Sequence, residues 1–155
     1  METEWYSERN QRELNLIYPN IADNMKMLPE LDKSTIQDVI AFLLALFESS
    51  HVENICYARR QLWQISPSWL EAHFLPVVET LSCLGLFDYE DDWLYRRLLE
   101  AIAHSPALLE QAIVRGEGAL NLEVLEAAED FRRYLPNGTN YFVTFLAQED
   151  LERGK

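Results

Sequence analysis

Apolar side chains recur every three to four residues along much of this sequence, which is the spacing that buries one face of a helix. A first run follows Ser34 and Thr35, whose hydroxyl groups can cap a helix, and it predicts a helix over residues 35–49. Its apolar members are Ile36, Val39, Ile40, Leu43, Leu44 and Phe47. A polar break at residues 49–51 separates it from a second run, which predicts a helix over residues 52–65 and completes a first hairpin.

Two of the next predicted helices begin with the same dipeptide, a serine followed by proline, at residues 66–67 and 105–106. The serine can cap the helix, and the proline suits its first position because the missing N–H costs no hydrogen bond there. The helix that begins at the first dipeptide is predicted to run to Leu84 and to stop at Gly85, which tolerates a left-handed conformation. With a helix over residues 92–104 it makes a second hairpin.

The third predicted hairpin pairs a helix over residues 107–115 with one over residues 121–135. The Gly-Glu-Gly sequence at 116–118 stops the first helix. Asn121 can cap the second helix, and Pro136 ends it.

A repeated motif supports this division of the chain. The dipeptide Arg-Arg, followed after one residue by Leu, occurs at residues 59–62, 96–99 and 132–135. The period of about 36 residues is that of one helix–turn–helix unit in an α-solenoid. We therefore predict one all-α domain, a short HEAT-like α-solenoid with three antiparallel helical hairpins over residues 34–135. Irregular helical caps are expected at residues 1–33 and 136–155.

The repeated arginines can have a structural or a functional role. Arg96 and Arg133 stand four residues after Asp92 and Glu129, so each can form an ion pair along its own helix. We predict that these two and Arg59 are structural and bind a carboxylate or a turn carbonyl of the neighbouring unit. The alternative is phosphate binding, for which guanidinium groups are well shaped.

The amino-acid composition indicates which kind of partner such an array would bind. Acidic residues outnumber basic residues 26 to 13, for a formal net charge of −13. A field of this sign repels phosphate backbones and speeds the encounter with a basic partner, so we predict a basic protein partner and no nucleic acid. The alternative interpretation is a solvated surface that only keeps the protein dissolved.

The remaining composition favours an intracellular protein. Cys56 and Cys83 lie in apolar helical patterns and are predicted to be buried, reduced thiols. The acidic N-terminal sequence lacks the basic start of a signal peptide, and no run reaches the roughly 18 apolar residues of a membrane span. We expect a cytoplasmic location and no contact with a membrane.

No residue constellation predicts an enzyme. His51, His73 and His104 lack a convincing nucleophile or metal-ligating partner in the sequence. The acidic stretch 88–92 lacks the alternating ligands, turn glycine and distal glutamate of a calcium loop. We predict no catalytic residue, no metal and no cofactor.

A partner-binding edge is predicted where two helices begin. Equivalent helices of adjacent repeat units run parallel, so the start of the 92–104 helix should lie beside the start of the 121–135 helix. Trp93 is included among the predicted partner-binding residues because Trp is enriched among the residues that dominate interface affinity. The predicted partner-binding residues are Asp88, Glu90, Asp91, Asp92, Trp93, Glu123, Glu126 and Asp130.

The segments 91–100 and 126–133 resemble the C-terminal helices of small acidic bacterial immunity proteins, which protect cells against contact-dependent or polymorphic secreted toxins. The resemblance implies a cytoplasmic protein that binds and neutralises one cognate toxin domain, often a nuclease whose basic cleft is met by acidic residues. Two alternatives stay open. One is an acidic nucleic-acid mimic that inhibits a defence nuclease, and the other is a general HEAT-like adaptor.

Overall fold

Residues 6–135 are described by the computed structural model, and all their regular secondary structure is helical. The helices are α1 (Tyr6–Ile17), α2 (Lys33–Leu46), α3 (Val52–Trp63), α4 (Pro67–Trp69), α5 (Leu75–Cys83), α6 (Asp92–Ile102), α7 (Pro106–Glu117) and α8 (Leu122–Tyr134). Short 3-10 helices at Ile21–Asp23 and Met25–Glu30 join α1 to α2. The all-α prediction is confirmed for this part of the chain. The predicted C-terminal cap, residues 136–155, lies outside the described residues.

The helix ends agree with the predicted ones to within a few residues, but some caps differ. Asp32 caps α2 by accepting a hydrogen bond from the Thr35 N–H at 2.7 Å, so this helix begins two residues before the predicted start. Asn121 caps α8 as expected. Ser66 and Ser105 precede proline as expected but donate or accept no capping bond, because both hydroxyls bind other side chains.

The predicted continuous helix over residues 67–84 is wrong in its middle. A π-helical turn, Leu70–Phe74, interrupts it between α4 and α5. Pro76 follows directly and has no N–H to donate to the preceding turn, which is a common reason for such a widening. The helix then ends before Gly85, whose φ of 77° is the predicted left-handed stop. Cys83, at the end of α5, is exposed rather than buried, whereas Cys56 is buried.

One apolar core runs through the helices. Helix α6 packs against α3, α7 and α8, and α3 also packs against α1 and α2. Helix α2 contacts α5, and α7 contacts the π-helical turn as well as α8. Within the core a buried polar contact joins α1 to α3, where the Asn10 side-chain amide donates to the side-chain oxygen (Oδ1) of Asn54 at 2.8 Å.

Three helix connections meet at one end of the molecule, which we call the loop end. They are the α2–α3, α5–α6 and α7–α8 connections, residues 47–51, 84–91 and 118–121. The Trp93 indole, on the first turn of α6, donates to the Phe47 carbonyl and so joins the first connection to the start of the helix that follows the second. Glu90 joins the second to the third, through hydrogen bonds described below.

Candidate functional site

The starts of α6 and α8 lie side by side, as the repeat pattern predicted. Glu123, on the first turn of α8, faces Asp92, on the first turn of α6. The Asp92 carboxylate raises the pKa of Glu123 through its charge and through a side-chain hydrogen bond, with smaller contributions from desolvation and from Glu126. Two helices therefore present their acidic groups on one surface, and like charges are left facing each other there.

Glu90 has a structural role that the sequence did not reveal. Its carboxylate accepts hydrogen bonds from the backbone N–H groups of Leu120 and Asn121, both at 2.8 Å. These bonds hold the pKa of Glu90 below its usual value. In the reverse direction, the Asn121 side-chain amide donates to the Glu90 carbonyl at 2.9 Å. Glu90 thus fixes the α5–α6 connection to the start of α8.

Asp88 and Asp91 shape the same connection while their side chains stay exposed. Asp88 accepts a hydrogen bond from the Glu90 N–H at 2.9 Å, which closes a local turn. Asp91 caps α6 by accepting from the Leu94 N–H at 3.1 Å. Their negative charges therefore stand at the surface in fixed positions.

The two predicted acidic residues farther along α8 differ in their surroundings. Asp130 forms an ion pair with Arg96 of α6 at 3.2 Å, which balances much of its charge. Glu126 is exposed, one turn after Glu123. Asp130 is thus paired with a cation, whereas the first turns of the two helices hold the carboxylates of Asp92 and Glu123 beside each other.

Trp93 is partly buried by its contacts within the chain. Its indole N–H donates to the Phe47 carbonyl at 2.5 Å, and the Arg97 guanidinium lies 4.4 Å from the centre of its ring. The side chain is still 44% exposed. Trp93 can therefore hold α6 against the α2–α3 connection and still offer an apolar surface at the loop end.

Two of the three arginines, Arg59 and Arg96, connect different helices. Arg59 of α3 binds Glu100 of α6 at 3.0 Å, and both side chains are nearly inaccessible. Arg96 pairs with Asp130 of the next unit rather than with Asp92 on its own helix. Arg133 pairs with Glu129 on its own helix at 3.0 Å, as the sequence suggested.

Exposed leucines are the feature of the loop end that the sequence analysis missed. Leu84 and Leu86 lie in the α5–α6 connection, and Leu120 and Leu122 flank the start of α8. All four are exposed. The sequence signal that could have revealed these leucines is their position in turns, outside the helical runs of apolar residues.

The arrangement offers charge and apolar surface rather than a reactive centre. Within residues 6–135, no three His, Cys, Asp or Glu side chains are grouped to hold a metal ion. His104 is largely buried against Trp63, and burial lowers its pKa. No helix of this described range combines the length and the apolar character needed to cross a bilayer.

Comparison with known proteins identifies no relative of this chain. The chain matches no protein-family model, and it has no significant match among curated proteins or among solved structures.

Proposed function

We propose that this protein is an immunity protein that binds and neutralises a cognate basic toxin domain in the cytoplasm, through the acidic surface at the starts of α6 and α8. The proposal includes a HEAT-like order of the three hairpins. The packing of α6 between α3 and α8 supports that order, because equivalent helices of a solenoid pack on their neighbours in sequence.

The observation that carries the proposal is the pairing of Asp92 with Glu123. Two ionised carboxylates on adjacent helices repel each other, so the charge of Asp92 raises the pKa of Glu123. A lysine or arginine of a partner, placed between the two groups, would replace repulsion with attraction. Binding such a cation therefore stabilises both proteins at this point.

The surface is also held in one conformation before binding. The Glu90 hydrogen bonds fix the connection that leads into α6, and the Arg96–Asp130 ion pair joins α6 to α8. A preorganised site loses little conformational entropy on association. Together with electrostatic steering, this arrangement favours the fast, tight capture that toxin neutralisation requires.

The test is binding to the protein encoded by the gene immediately upstream, which the proposal predicts to be a toxin. We expect the Asp92→Asn, Glu123→Gln variant to bind about tenfold more weakly at ~0.01 M ionic strength, mostly through slower association. The difference should shrink at ~0.15 M, where surface charges are screened. The matched control is Glu13→Gln, Asp38→Asn, which removes the same number of exposed charges from α1 and the first half of α2.

Equal loss of affinity in both variants would mean that only the overall charge matters, and would overturn the assigned surface. No binding by the wild-type protein would overturn the toxin assignment. Binding to a defence nuclease instead would favour the nucleic-acid mimic. Recovery of a host protein with no antibacterial activity would favour the adaptor.

A further inference from the structure

Large exposed apolar side chains are concentrated at the loop end. Among the described residues there are eight, and six of them lie in its connections or in the adjoining first helical turns. The six are Val52, Leu84, Leu86, Trp93, Leu120 and Leu122. Leu120 and Leu122 are 90% and 78% exposed. Exposed apolar groups scattered singly need no explanation, but their concentration at one end does.

These side chains are held at the same end by contacts that do not involve the apolar groups themselves. The backbone N–H of Leu120 is bound by Glu90, and the Leu86 N–H donates to the Leu81 carbonyl at 2.9 Å. Gly85 supplies the left-handed turn between Leu84 and Leu86. The turns are thus fixed through the backbone and through polar side chains. The leucine side chains are left free to contact something outside the chain.

The surroundings of the leucines determine what kind of partner fits. Asp88, Asp91, Asp92 and Glu123 lie in the same connections and first turns as the leucines, so the loop end has both apolar groups and carboxylates. A second copy of this chain would bring one acidic border against another. A partner with lysine or arginine around an apolar protrusion is complementary in both respects.

We propose that the loop end is a docking surface for a basic protein segment with exposed apolar side chains, in which Leu84, Leu86, Leu120 and Leu122 form the centre and the carboxylates form the rim. This inference rests on the proposed function and names the contact that holds the partner. Central apolar residues govern dissociation, whereas rim charges govern the rate of association. The two contributions are therefore separable by experiment.

The experiment uses synthetic peptides, so that it does not depend on the identity of the toxin. One fluorescent peptide has lysine and leucine on opposite faces of a helix of ~14 residues, about four turns. A second has the same lysines with serine in place of leucine. Both are titrated, at fixed ionic strength, against the wild-type protein, Leu120→Ser, the double variant Leu120→Ser, Leu122→Ser, and the control Leu16→Ser. Leu16 is 80% exposed but lies in the last turn of α1, away from the loop end.

For the lysine–leucine peptide, we expect the Kd to rise about tenfold in the double variant, less in Leu120→Ser, and less than twofold in Leu16→Ser. The lysine–serine peptide should bind more weakly to every protein and show no dependence on the leucines. Circular dichroism should show unchanged folding, because the substituted side chains are exposed.

Equal binding of the lysine–leucine peptide to wild type and to the double variant would overturn the proposal. A wild-type dimer in sedimentation velocity that the double variant abolishes would overturn it too, since the occupant would then be a second copy. The outcome of the toxin-binding experiment is independent of the outcome of the peptide experiment. Peptide binding with loss in the leucine variants, but no toxin binding, leaves the docking surface intact and removes only the proposed biological partner.

Discussion

At the scale of single residues, the pKa of Glu123 leads to a pH-dependent prediction. A carboxyl group whose pKa is higher in the folded state than its usual 4.5 binds a proton more tightly there. Its stabilising effect is present below pH 4.5 and is lost as pH rises through the folded pKa. At pH 7 the ionised Glu123 therefore destabilises the fold beside Asp92, and Glu123→Gln should raise the melting temperature.

Thermal unfolding at two pH values checks this prediction. The difference between Glu123→Gln and wild type should be positive at pH 7 and close to zero at pH 3, where the carboxyl group is protonated in both states. Glu13→Gln is the control, because Glu13 is exposed on α1 away from Asp92. A lower melting temperature for Glu123→Gln at pH 7 would contradict the assigned repulsion.

Close packing at Gly116 gives a second prediction. A Cβ atom at this buried position would collide with the Tyr95 hydroxyl group, which donates to the Ala112 carbonyl at 2.8 Å. We expect Gly116→Ala to lower the free energy of unfolding by about 2 kcal/mol, a typical cost of overpacking, measured by urea denaturation.

Gly118 provides the matched control for this measurement. A Cβ atom there would meet only the Arg115 carbonyl oxygen at 3.7 Å, an ordinary contact. Gly118→Ala should therefore leave stability nearly unchanged. Equal effects of the two substitutions would show that loss of backbone freedom, not contact with Tyr95, decides the outcome.

At the scale of the helices, the buried ion pair between α3 and α6 is the most sensitive connection. Arg59 is 5% exposed and Glu100 is 13% exposed, and Glu100 also binds Arg97 at 3.3 Å. Glu100→Gln removes the charge that balances both arginines. We expect a loss of about 3 kcal/mol in the free energy of unfolding, as for other broken buried pairs.

The comparison for Glu100→Gln is Glu129→Gln on α8. Glu129 and Arg133 form an ion pair four residues apart, and both side chains are about two-thirds exposed. Such a pair contributes roughly 0.5 kcal/mol or less. A similar effect of both substitutions on urea denaturation would mean that the α3–α6 pair does not stabilise the packing of these helices.

Local signals predicted the helices well because most of those signals act within one turn. Helical spacing of apolar residues, the Asn121 cap and the Gly85 stop all concern neighbours in sequence, and the structure has each of them. The serine caps were wrong because both hydroxyl groups bind other side chains. Ser66 contacts Ser68, and Ser105 donates to Glu71, which is far away in the chain. The π-helical turn was missed because an ordinary helical pattern of apolar residues continues through it.

At the scale of the whole molecule, the contact between α6 and α8 agrees with the prediction that was drawn from the period of the Arg-Arg motif. That is why the proximity of Asp92 and Glu123 could be predicted. The contacts made at the helix connections could not be predicted, because no repeat in the sequence relates Glu90 to Leu120 or Trp93 to Phe47. Whether a turn leucine is exposed also depends on how these connections settle against one another.

The hydrogen bonds of Glu90 also decide where the chain accepts foreign sequence. Connections between helices are normally safe places to insert a reporter or an affinity tag. In the α7–α8 connection, however, two successive N–H groups are bound to one carboxylate, so an insertion between Leu120 and Asn121 would separate them.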